Sequence, residues 1–189
     1  MCTIGSMLLA LDTESTGLLS ESRARPVQLA WAVLDSHGNE TEAVSLLIKT
    51  VDRVPAASAR IHSIDSVRLA EEGVPPAEGL RRLFDAMERV TSAGGVCVAF
   101  NAEFDCDLIA RACADAGLKP PVRPVGCVMR LLAPRLKLAP FRNGSFKLPR
   151  LGEAASLLGV DRVGDAHDAL SDARRCAGVY LASRARGWA

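Results

Sequence analysis

The sequence predicts an α/β fold, a mixed sheet of three antiparallel strands followed by parallel ones, flanked by helices. Three observations carry this. Short apolar runs with alternating or β-branched character dominate the first 48 residues. Helical segments bounded by proline and glycine follow, and one of them is interrupted by a buried, strand-sized run, Val96 to Phe100. An order of strands first and then helices alternating with a strand is that of a sheet covered by helices.

Each element has its own signal. Met7 to Leu11 is a short apolar run ending in acids, and Val27 to Leu34 alternates around Val27, Leu29, Trp31 and Val33. Ala43 to Ile48 is apolar and β-branched, and residues 35–39 between these two runs are dense in turn formers, His37 among them. Ile64 to Glu72 has the pattern of a short helix. Pro75 and Pro76 open a longer one through Val90, broken by Gly94 and Gly95. Asn101 is placed to cap a helix from Ala102 to Ala116, closed by Gly117. Residues 119–149 are proline-dense, which predicts loops and a short helix. Leu151 to Leu158 is helical up to Gly159, and Asp165 is placed to cap a last helix running to about Ala185.

The chain has 189 residues, 49% hydrophobic and 24% charged, which suits one domain with a sizeable core, residues 7–185. No apolar run approaches the ~20 residues that span a bilayer, and no secretory signal pattern opens the chain, so a cytoplasmic protein is expected. Six cysteines (Cys2, Cys97, Cys106, Cys113, Cys127, Cys176) form no C-x-x-C pair and are read as reduced and structural. Of the net charge of +1, the stretch Lys119 to Arg150 supplies +8 with no acid, and the rest supplies −7. Such asymmetry suits contact with phosphates, and equally a solvated loop and helix face.

Chemistry is suggested by three separated clusters: Asp12 and Glu14 in LDTES, Asp105 in NAEFD, and His167 with Asp172 in HDALSDA. Two residues apart on a strand, Asp12 and Glu14 share a face, with Thr13 on the other. Asp105 falls in the first turn of the helix that Asn101 begins, where the helix dipole favours a carboxylate with or without a function. The strand before it should lie beside the first strand and bring Asp105 near Asp12 and Glu14. His167 is expected within the first turn of the last helix and Asp172 two turns in. Their five-residue interval leaves them about 140° apart on a helix, which separates His167 from the ligands and suits a general base. Four carboxylates match the charge of two divalent cations, and all-oxygen ligation selects Mg²⁺ or Mn²⁺. Such a pair can activate water on one side of a phosphodiester and stabilise the leaving 3′-oxygen on the other.

The three motifs, LDTESTGL, NAEFD and HDALSDA, resemble those of the DEDDh 3′–5′ exonucleases of RNase H-like fold, and within them the proofreading epsilon subunit of bacterial DNA polymerase III. The IHSI stretch around His62 and the stretch FKLPRLGEAASLLGV agree with this, so the resemblance covers nearly the whole chain. It implies that Asp12, Glu14, Asp105 and Asp172 hold two Mg²⁺ (or Mn²⁺) and that His167 is the general base. It implies further that Thr16 and Leu18 contact the terminal nucleotide, with His62, Asn101 and Phe104 near its sugar, base or phosphate. The substrate implied is a single-stranded or frayed nucleic-acid 3′ end, and the family admits a polymerase partner in trans and a homodimer.

Two positions depart from the pattern: Phe100 stands where the family often has histidine, and Ser15 where threonine is more usual. The chain ends at Trp188-Ala189, directly after the last helix, which favours a free-standing exonuclease over a dedicated replicative proofreader. Motif wording leans to DNA as substrate. RNA, as in the RNase T and oligoribonuclease branches, is the alternative, and a non-catalytic binding module of the same fold is a third reading.

Overall fold

The computed structural model describes residues 6–120, 125–139, 145–161, 164 and 167–189. Three strands come first: β1 (Leu8–Ser15), β2 (Pro26–Leu34) and β3 (Glu40–Leu47). Helices α1 (Ala56–His62), α2 (Ser66–Glu72) and α3 (Pro76–Ser92) follow, then β4 (Val96–Ala99) and α4 (Ala102–Asp115). The chain continues through β5 (Val125–Cys127), α5 (Val128–Leu136), α6 (Leu151–Leu158) and α7 (Ala169–Ala185). The strands form one mixed sheet in the order β3-β2-β1-β4-β5. β1 to β3 are antiparallel neighbours, and β4 and β5 run parallel to β1.

The two-residue period divides the core. Leu9 and Leu11 join Leu29, Trp31 and Val33 on one face, covered by Leu80, Leu83 and Met87 of α3 and Ile109 and Cys113 of α4. Leu8 and Ala10 join Ala32, Leu34 and Val98 on the other, beneath Leu158 of α6 and Cys176, Ala177 and Val179 of α7. Fully burying each of the larger aliphatic side chains contributes roughly 1.5–3 kcal/mol, so both layers are needed. The buried side of α7 is made of small residues (Ala169, Ala173, Ala177), which brings its backbone close to β1 and β2.

Several expected boundaries move. β1 carries the acids as expected and runs one residue past Glu14, to Ser15, because β2 keeps pairing with it as far as Pro26. The expected helix from Ile64 to Glu72 is α2, which starts at Ser66 because Asp65 caps it by accepting from Arg68 N–H, and an unexpected helix, α1, precedes it and ends at Ser63 in the left-handed region at φ 59°. Asn101 occupies the N-cap position of α4, yet its side chain makes no capping bond, and its carbonyl accepts from Phe104 N–H instead. The proline-dense stretch contains a short strand, β5, as well as the expected helix.

The last helix is capped by Asp168, whose carboxylate accepts from Ser171 N–H; Asp165 lies outside the described residues. His167 therefore precedes the helix rather than sitting in its first turn, with a left-handed backbone at φ 62°, and Asp172 is in the first turn rather than two turns in. No helix among the described residues is long and apolar enough to cross a membrane.

Candidate active site

β1 outruns its parallel neighbour. Its pairing with β4 ends at Leu11 opposite Ala99, and beyond that point β4 gives way to the first turn of α4. Asp12 and Glu14 continue the row of Leu8 and Ala10, on the face that α7 covers, while Thr13 continues the row of Leu9 and Leu11. The Thr13 hydroxyl donates to Oδ1 of Asp105 at 2.8 Å, joining the strand to the start of α4. Asp105 is only 3% exposed. The first turn of α7 brings Asp172 to the same place, so carboxylates distant in sequence meet at the open end of β1.

Their electrostatics confirm the crowding. Burial, then the charges of Asp105, Glu14, Asp172 and Asp168, hold the Asp12 carboxyl well above the usual carboxylate range. Burial, followed by Asp172, Asp168 and Asp105, pushes Glu14 up to about 8. Burial pushes Asp105 up to about 7 against the Thr13 hydrogen bonds that pull it down. Asp172 is raised by burial, with Arg175 and the ring and backbone amide of His167 opposing the rise. Arg175 donates to Asp172 Oδ1 at 3.0 Å.

Burial first, and then mutual repulsion at Asp12 and Glu14, drives these oxygen donors towards the neutral form, and hard divalent ions are the countercharge that such donors could hold. Among the described residues no group of three acidic, imidazole or thiol side chains is placed to hold a metal ion.

The other expected site residues are disposed as follows. His167 is exposed at the mouth of the cluster, close enough to His62 and Asp172 to influence both. His62 is buried and committed to the backbone. Ile64 N–H donates to its Nδ1 at 3.2 Å, which leaves Nε2 as the protonated nitrogen, 3.2 Å from the Ser15 carbonyl it donates to. Burial lowers its pKa, which favours the neutral ring. It braces the end of β1, and neither ring nitrogen is left over for a nucleotide.

Thr16 is buried too, its hydroxyl oxygen accepting from Arg25 N–H at 3.0 Å, so it closes the loop after β1. Leu18, at the tip of that loop, is 66% exposed. Asn101 is exposed and Phe104 half-buried, both beside the cluster at the start of α4.

Two residues escaped the sequence reading. Arg111 on α4 donates to the carbonyls of Leu19 at 2.8 Å and Glu21 at 2.7 Å, clamping the loop that presents Leu18. Gln28 on β2, paired in register with Glu14, bonds to the start of α7. A polar side chain inside the otherwise apolar run VQLAWAVL was the signal for Gln28; nothing local marked Arg111. Of the basic stretch, Arg130 pairs with Glu103 and Lys147 with Glu153, while Arg123 and Arg142 lie outside the described residues.

Similarity to known structures agrees with this fold. The structure is similar to exonuclease I from Methylocaldum szegediense (TM-score 0.77, 23% identity), over 96% of this chain and 41% of that one. The chain thus spans about two fifths of that enzyme's length. It is also similar to the nuclease domain of 3′hExo, a DEDDh family member bound to rAMP (TM-score 0.75, 14% identity, 96% of this chain and 93% of that one). A third similar structure is exonuclease X in complex with 5′ overhanging duplex DNA (TM-score 0.67, 19% identity, 96% and 94%). No curated protein sequence matches the chain. The exonuclease family model (RNase T type) matches residues 9–180, which takes in every element from β1 to α7, and the chain belongs to that family.

Proposed function

We propose that this chain is one exonuclease domain that removes 5′-mononucleotides from the 3′ end of DNA with the help of two Mg²⁺ (or Mn²⁺). The observation that carries the reading is the convergence of Asp12, Glu14, Asp105 and Asp172, from three elements, beside an exposed histidine. These four carboxylates would hold the cations, which when bound lower the pKa of the attacking water and stabilise the leaving 3′-oxygen.

The chain's own groups supply the rest. His167, at the rim and outside the ligand set, takes the proton from the attacking water. Thr13 orients Asp105 through its hydroxyl, and Arg175 steadies Asp172. Leu18, held out by the loop that Arg111 clamps, packs against the terminal nucleotide, with Phe104 and Asn101 across from it.

Exonuclease X holds 5′ overhanging duplex DNA, which supports DNA as the substrate here, whereas the rAMP in 3′hExo supports the RNA alternative. Digestion of matched 3′- and 5′-labelled DNA and RNA oligonucleotides with Mg²⁺ or Mn²⁺ tests the reading. Immediate release of a 3′ label as mononucleotide, stepwise shortening of 5′-labelled DNA and slower loss of RNA are expected. Internal cleavage, or full activity in chelator, would overturn it; faster loss of RNA would move the substrate to RNA.

A further inference from the structure

Gln28 is 6% exposed, in a strand otherwise made of apolar residues, and its side-chain amide is fully used. Its Oε1 accepts from the backbone N–H of Ala169 at 3.3 Å. Its Nε2 donates to Oδ1 of Asp168 at 3.1 Å and to the Ser45 hydroxyl oxygen at 2.9 Å. The orientation of the amide is forced, because a backbone N–H only donates and a carboxylate only accepts. Ala169 is the first residue of α7 and Asp168 its N-cap, so one side chain satisfies an otherwise unpaired helix-start donor and grips the cap itself. The other Asp168 oxygen, Oδ2, accepts from Ser171 N–H at 3.1 Å and Ser171 Oγ at 2.8 Å. Gly164, at φ 72°, lies so close that an added Cβ would stand 2.2 Å from Ser171 Oγ.

We propose that Gln28 is a positioning residue for the reaction. It registers the start of α7 on the sheet, and with it His167 and Asp172 against the acids of β1. The inference rests on the reading of His167 and Asp172 given above. Both flank the gripped segment: His167 is the residue before the cap, and Asp172 N–H donates to the Asp168 carbonyl at 3.0 Å. Gln28 also pairs with Glu14 across the ladder, so one β2 position fixes the distance between the β1 acids and the α7 acid. Groups that orient metal ligands are commonly worth 10–100-fold in affinity or activity.

The test compares Gln28→Met with Arg174→Ala. Arg174 also docks α7 on the sheet, but through Glu40 of β3 at 2.7 and 2.8 Å rather than through the backbone or cap of the helix start. For Gln28→Met we expect kcat on a 3′-end oligonucleotide to fall by about 10–100-fold with KM within about twofold. Mn²⁺ affinity, read by calorimetry without turnover, should fall several-fold. Hydrogen exchange at the Ser171 and Asp172 amides should quicken by about tenfold, the worth of roughly one hydrogen bond. Arg174→Ala should lose a similar amount of thermal stability while keeping kcat and Mn²⁺ affinity. Normal kcat in Gln28→Met, or activity lost in step with stability in both variants, would overturn the proposal. If Asp12→Ala kept full activity, the reading of the site would fail instead, and hydrogen exchange and Mn²⁺ affinity would still report whether Gln28 holds the helix.

Discussion

The hydroxyl of Thr13 donates to Oδ1 of Asp105 across 2.8 Å, and this one bond ties the strand that carries Asp12 and Glu14 to the helix that carries Asp105. Thr13 points away from the acids on either side of it, so its work is done from behind the site. Replacing it with valine keeps the shape and the strand preference but takes the hydroxyl donor from Asp105. Thr13→Val should cost about 1 kcal/mol of stability and lower kcat by about tenfold. Calorimetric melting and steady-state kinetics check this, and unchanged kcat would show that Asp105 needs no such brace.

The raised carboxyls make stability depend on pH. In the folded protein Glu14 lies at about 8 against an ordinary 4.5, and Asp105 at about 7 against 3.8. Between those values the folded state binds more protons than the unfolded one, so stability falls as pH rises. Metal-free protein should therefore melt at the highest temperature near pH 4–5 and lose stability steadily up to about pH 8. Added Mn²⁺ should flatten that slope by supplying the missing positive charge. Melting curves in chelator and in Mn²⁺ from pH 5 to 8.5 test it; a rise with pH in chelator would contradict the crowded cluster.

His167→Ala removes a proton acceptor and no metal ligand. The rate should fall by about 10²–10⁴-fold, the usual worth of a positioned general base, while Mn²⁺ affinity changes little. A large loss of affinity would make His167 a ligand instead.

Arg111→Met frees the loop between Thr16 and Arg25 from α4. Because that loop presents Leu18, KM for an oligonucleotide should rise by about tenfold, roughly the worth of one charge-assisted hydrogen bond, with kcat nearly unchanged. Steady-state kinetics with a fluorescent 3′-labelled strand would show it. An unaltered KM would remove Leu18 from substrate contact.

Much of this arrangement could be read in the sequence because it depends on local periodicity. The shared face of Asp12 and Glu14 follows from the alternation of a strand, and the placement of Asp105 from the helix that begins at Ala102. The start of α7 was misjudged because DAHDALSDA offers more than one acid as a cap. The choice of Asp168 is settled by Ser171 three residues on and by Gln28, 140 residues away in the chain. Arg111 was illegible for the same reason, since its partners lie on a loop some 90 residues earlier. His62 belongs with them: its motif was visible, but only the tertiary structure shows both ring nitrogens spent on the backbone.

The unequal lengths of β1 and β4 act as a ruler. Eight residues against four leave Asp12 to Ser15 beyond the last β4 pair, and the turn into α4 fills the difference. A single residue inserted into β4 would slide the start of α4 by about 3.3 Å and turn the following side chains to the opposite face. Asp105 would then miss both Thr13 and the other acids, and core residues of β4 and α4 such as Ala99 and Ile109 would be displaced with it. Chain length in β4 should accordingly be held far more tightly than in the turn at residues 35–39, where an extra residue moves nothing that the acids depend on.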